Sequence, residues 1–156
     1  MGLYGAEMTT SQAPTALPTS SKVLCTVYGV IAVAALIATW SQNVAYLHKP
    51  SGFADFWIAT KVNPASRSIT VDIVCFALAA TILMVIEARK HGVRFVWLYV
   101  LAGPLIAISA AFPLFLIARE LRIGRTEPTR LGPIDTTLLI LFAAGTALFT
   151  IWVDMD

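Results

Sequence analysis

The chain has 156 residues, 58% of them hydrophobic and 13% charged, about half the charged share of ~25% found in a typical soluble domain. Its formal charge of +2 is dispersed along the chain, which excludes the basic patch that nucleic-acid binding requires, so no nucleic-acid partner is expected. Two cysteines, Cys25 and Cys75, are too few for a disulfide framework and lack the CxxC or Cys/His spacing of a metal site, so neither metal nor cofactor is expected. The apolar residues gather in four long runs. They predict an all-α, polytopic membrane helical bundle with four transmembrane helices and a short interfacial segment between the first two.

Residues 1–21 are rich in Ser, Thr, Pro, Ala and Gly and show no apolar period, which predicts a disordered tail ahead of a membrane domain over 22–156. Ala6 stands where a myristoylation signal needs Ser or Thr, so lipidation is not expected. No charge falls between Val23 and Leu47, and 23–42 is the first predicted span. Lys22 before an apolar run also suits a cleaved leader. The run is long for that, however, and Ala38-Thr39-Trp40-Ser41 is not a small-x-small cleavage site.

Gly52 to Ala59 mixes aromatics with one acid over about two helical turns, too short to span and suited to the interface. Asn63-Pro64 predicts an N-cap followed by proline at the first helical position, where a missing N–H costs nothing. The second span, 66–88, ends in Glu87-Ala88-Arg89-Lys90-His91-Gly92, basic residues before a C-terminal glycine. The third, 95–118, carries no charge but contains Gly103-Pro104 and Pro113, predicting a bent helix. Arg119-Glu120-Leu121-Arg122 stops it, and 136–153 is the fourth, at the minimum length for a span. Trp40, Trp97 and Trp152 near span ends, and Trp57 in the interfacial segment, are expected interfacial anchors. Small residues four apart, as at Ala34 and Ala38, or Gly103, Ala107 and Ala111, predict ordinary close packing of helices.

Four spans place Lys22, Arg89, Lys90 and Arg94 on the side of the tail, and Lys49, Lys61, Arg67, Arg119, Arg122, Arg125 and Arg130 on the other. The larger number favours a cytoplasmic far side, whereas the tight basic turn after the second span favours a cytoplasmic tail, so orientation stays open. Cys25 and Cys75 fall at depths that differ by roughly 15–20 Å, beyond disulfide reach.

Asp72 is the only ionisable residue inside the apolar runs, and an intramembrane carboxylate is expensive enough to raise a functional hypothesis. A structural reading competes, because Asp72 lies near the start of its helix with Ser68 four residues back. A continuous third span brings Arg119 and Glu120 to the depth of Asp72, which makes an Asp72–Arg119 pair geometrically possible. Asn43 and Arg67 gather on the same side, as a candidate polar pocket or as anchors that snorkel to headgroups. Glu87 and His91 have i to i+4 spacing, read as a surface helix end. There is no phosphate loop, nucleophile elbow or HExxH motif.

Asn63-Pro64-Ala65-Ser66-Arg67, Asp72, Glu87-Ala88-Arg89, Trp97, and Pro113-Leu114-Phe115-Leu116 followed by Arg119-Glu120 form a pattern that resembles the domain-of-unknown-function family 2834 of small bacterial membrane proteins. The resemblance covers roughly residues 24–122. It implies three membrane helices and brings no activity, while placing the Asp72 and Arg119 region within the family pattern.

Three functional readings follow for a multi-pass protein of the cell membrane. The first is a non-enzymatic accessory or interaction subunit, with the bilayer and a second copy or another membrane protein as partners. The second is a small ion or solute transporter using Asp72. The third is a membrane enzyme acting on a prenyl or terpenoid lipid, with Asp72 or Glu120 as general acid.

Overall fold

The computed structural model describes residues 16–48, 53–124 and 131–154, and every regular element among them is a helix. These are α1 (Thr19–Leu47), α2 (Phe53–Ala59), α3 (Pro64–His91), α4 (Val96–Leu105), α5 (Ile108–Ile123) and α6 (Pro133–Asp154). The expected disordered tail falls, over 1–15, outside the described residues. Its last residues, Thr19 to Ser21, instead begin α1. Three helices are long and apolar enough to cross a membrane, over Thr19–Val44, Pro64–His91 and Pro133–Val153.

The boundaries of α3 follow from local chemistry. Asn63 Oδ1 accepts from the Ser66 N–H at 2.8 Å, and Ser66 Oγ accepts from the Asn63 N–H at 3.2 Å. This reciprocal box satisfies two donors that a helix start otherwise leaves orphaned, and Pro64 at the first position has no N–H to orphan. At the other end Arg89, Lys90 and His91 face the negative pole of the helix, and Gly92 adopts φ +66°, a conformation that a side chain would penalise. The interfacial segment forms α2, whose Phe56 packs edge-on against Tyr46 of α1 at 5.6 Å.

The continuous span expected over 95–118 is instead a hairpin of two helices. Pro104 supplies no N–H to the carbonyl of Val100, so α4 ends within two residues. Ala107 is extended, with φ −175° and ψ 134°, and reverses the chain. Gly103 permits the reversal, because a Cβ there would lie 3.3 Å from the Ile108 side chain. Tyr99 of α4 consequently meets Phe115 of α5 edge-on at 5.8 Å. At ~1.5 Å per residue α4 rises roughly 15 Å, about half of a ~30 Å hydrocarbon layer.

The hairpin fills the angle between α1 and α3. Met84, Ala88, Val96 and Phe115 form its buried core, and Ala110 and Ala111 bury the α5 face towards Ala32 of α1. Contacts fix the direction of α5 twice. It runs antiparallel to α1, with Ser21 beside Gly124 and Trp40 beside Ile106. It also runs with α3, Phe112 meeting Phe76 and Arg119 meeting Glu87. The hairpin therefore starts and finishes at the end of the bundle where α1 begins and α3 ends. Among the described residues α6 buries none of its side chains.

Candidate functional site

Reversal of the chain at Ala107 carries Arg119 away from Asp72. Arg119 Nε donates to Glu87 Oε2, and His91 Nε2 approaches the same oxygen to 3.3 Å without the alignment of a hydrogen bond. The helical spacing that places Glu87 and His91 on one face of α3 thus builds half of this cluster, and α5 brings the arginine. Glu87 and His91 side chains are 15% and 11% exposed and Arg119 is 28% exposed, so the pair is shielded on most sides. In such a setting its attraction is stronger than that of a surface ion pair, and leaving one partner alone is costly.

One residue further along, Glu120 points to the other side of α5 and is 3% exposed. Its Oε1 has no hydrogen-bond partner among the described residues. Ser21, fully buried at the start of α1, donates through Oγ to the Gly124 carbonyl at 3.3 Å. A Cβ on Gly124 would overlap Ser21 Oγ and lie 2.9 Å from Glu120 Oε1. The glycine therefore allows α1 to close on the end of α5.

The remaining sequence candidates do not assemble with these groups. Asp72 is exposed on α3 and Arg67, also exposed, donates through Nη1 to the Lys61 carbonyl at 3.4 Å. Asn43 is buried at the far end of α1. The Asp72–Arg119 pair is replaced by Glu87–Arg119, and none of Asp72, Arg119, Glu120, Asn43 and Arg67 lines either of the two cavities that border the hairpin. Cys25 and Cys75 are both free.

Of the expected anchors, Trp57, Trp97 and Trp152 are exposed. Trp40 has a more specific position: its Nε1–H donates to the Ile106 carbonyl at 3.0 Å, at the break between α4 and α5. Non-helical backbone at membrane depth leaves carbonyls that water does not reach, and an indole donor from α1 satisfies one of them.

Two cavities border the hairpin. One, of about 260 Å³, lies between α1 and the hairpin and is lined by apolar and small residues including Ala32, Leu36, Ile106 and Ala110. The other, of about 430 Å³, opens at the α3–α4 turn beside Arg89, Arg94, Phe95 and Trp97. Neither Asp72 nor Glu120 lines either one, so at these cavities the lipid-enzyme reading has no carboxyl to act as acid. No set of three or more His, Cys, Asp or Glu capable of holding a metal occurs among the described residues.

The Glu87–Arg119 pair, Asn63-Pro64 cap and hairpin fall within a segment recognised by sequence. No curated protein and no solved structure matches the chain. A family model described as protein of unknown function DUF2834 matches residues 27–121, more than half of the chain, which therefore belongs to that family.

Proposed function

We propose that this protein is a multi-pass subunit of the cell membrane that acts by associating with another membrane protein or a second copy of itself. The observation that carries this reading is Asp72. It lies within the apolar part of α3, is exposed on the outside of the helix, and has no ion-pair partner among the described residues. A charged side chain facing lipid costs about 2.5–3.5 kcal/mol at mid-membrane and less towards the edge. A polar group from a neighbouring membrane helix removes that cost. The unburied α6, with Ala143, Gly145 and Ala147 along it, offers further surface for close helix contact.

The test is recovery of the full chain from membranes in a gentle detergent, with masses read by native mass spectrometry. Wild type is expected to retain a second polypeptide or copy, and Asp72→Leu to release it. Recovery of monomer alone from both contradicts the reading.

With the hairpin closed on itself, the described basic residues at the end where α1 begins are Lys22, Arg89, Lys90, Arg94, Arg119 and Arg122, against Lys61 and Arg67 at the other. The excess of basic residues favours a cytoplasmic side for the α1 start and the α3–α4 turn.

A further inference from the structure

The cavity at the α3–α4 turn has a chemistry distinct from the rest of the bundle. It is about 430 Å³ and open at the surface, within the size range of small-ligand sites. Arg89 and Arg94 lie on its wall, and neither has an acidic partner among the described residues. Glu87, the acid nearest in sequence to Arg89, is already engaged by Arg119 and His91.

Geometry of the turn sets these groups around one opening. Gly92 at φ +66° and Phe95 at φ 59° both take left-handed conformations, so the chain doubles back between α3 and α4 within four residues, Gly92 to Phe95. For Phe95 this costs on the order of 1 kcal/mol or more. Val96 and Trp97, the first two residues of α4, complete the wall. Phe95 offers no side-chain cap to that helix start, so two N–H groups of its first turn have no intrahelical acceptor. The opening thus combines unpaired guanidinium groups, a helix N-terminus and two exposed aromatic rings, Phe95 and Trp97.

Its depth completes the picture. The last apolar residue of the α3 run is Ile86, and Arg89 lies one turn beyond it, at the level where hydrocarbon gives way to headgroups. Guanidinium groups there match a phosphate by charge-assisted, bidentate hydrogen bonds, while aromatic rings suit the acyl–headgroup boundary.

We propose that this cavity binds the phosphate of an anionic phospholipid headgroup, held by Arg89 and Arg94 with the chains of the lipid passing beside Phe95 and Trp97. The site lies in the leaflet at the end of the bundle where α1 begins. It does not depend on the association proposed above.

The full-length protein, delipidated in detergent, is titrated with phosphatidylglycerol or phosphatidylcholine, and bound lipid is counted by native mass spectrometry. Wild type is expected to retain phosphatidylglycerol over phosphatidylcholine. The double variant Arg89→Gln/Arg94→Gln is expected to lower that retention about tenfold, whereas Arg122→Gln, an exposed arginine at the same end but outside the cavity, leaves it within about twofold. A circular-dichroism spectrum matching wild type confirms that the double variant folds; an Arg89→Lys/Arg94→Lys pair, which keeps the charge, serves if it does not and is expected to retain part of the preference. Competition by inorganic phosphate alone identifies the source of the phosphate: undiminished lipid retention supports a lipid site, and complete displacement assigns the cavity to a soluble anion and overturns the lipid assignment. Equal loss with Arg122→Gln, or no loss in the double variant, overturns the site itself.

Discussion

Glu87 and Arg119 are 32 residues apart in sequence and joined by a direct hydrogen bond, and they tie the end of α3 to the end of α5. Removing one partner leaves a largely shielded charge unpaired. Because Arg119 is 28% exposed, the full buried-pair penalty is discounted, and Arg119→Met is expected to destabilise by about 1–3 kcal/mol. The double variant Glu87→Gln/Arg119→Met should recover part of that loss, as read from a double-mutant cycle of thermal unfolding in detergent; additive losses would mean the pair contributes nothing. At Gly124, the Ala variant places a methyl group against Ser21 Oγ and the Glu120 carboxylate. It should cost about 1–3 kcal/mol through forced displacement of α1, measured by the same unfolding assay, and an unchanged midpoint would show that α1 does not close on α5. Only part of this was legible in sequence. The i to i+4 relation of Glu87 and His91 follows from helical geometry alone, whereas Glu87–Arg119 depends on where the chain reverses.

At the scale of elements, the cap of α3 and its glycine stop were readable because the chemistry that makes them is local: Asn63, Pro64, Ser66 and Gly92 act on backbone groups within four residues. The hairpin was not. An uncharged stretch from Phe95 to Ala118 is long enough for one bent span, and Gly and Pro are tolerated inside membrane helices. What distinguishes a bend from a reversal is tertiary: Gly103 admits Ile108, Phe115 packs on Tyr99, and Trp40 reaches the Ile106 carbonyl from another helix. Trp40 read as an interfacial anchor therefore misses its hydrogen bond to the break. Trp40→Phe keeps the ring and removes the donor, so it should destabilise the fold by about 1–3 kcal/mol, the cost of leaving an acceptor unsatisfied at a depth where water does not reach it. The same variant should increase alkylation of a cysteine placed at Ala107; equal labelling with and without the indole N–H would mean that the hydrogen bond does not hold the break closed.

For the whole molecule, helical class and membrane character were set by composition and run length, and three helices meet the length and hydropathy needed to span. The placement of charge was not, because the reversal at Ala107 carries the end of α5, with Arg119 and Arg122, to the opposite end. Among the described residues Arg119 and Arg122 join Lys22, Arg89, Lys90 and Arg94 at one end, leaving Lys61 and Arg67 at the other. Arg119 and Glu120 leave the end where Asp72 lies for the same reason, while Asn43 and Arg67 stay at that end. Asp72 is left alone on the outer face of α3 and Glu87 takes its place as the partner of Arg119.

The hairpin can be tested directly by substituted-cysteine accessibility in sealed membrane vesicles. In a Cys25→Ser/Cys75→Ser background, single cysteines are placed at the exposed positions Lys61, Lys90 and Arg122 and labelled with a membrane-impermeant maleimide. A closed hairpin predicts that positions 90 and 122 label from one side and position 61 from the other. Labelling of position 122 together with 61 and opposite to 90 would mean that residues 95–118 cross the membrane as one helix, and the fold described here would be wrong.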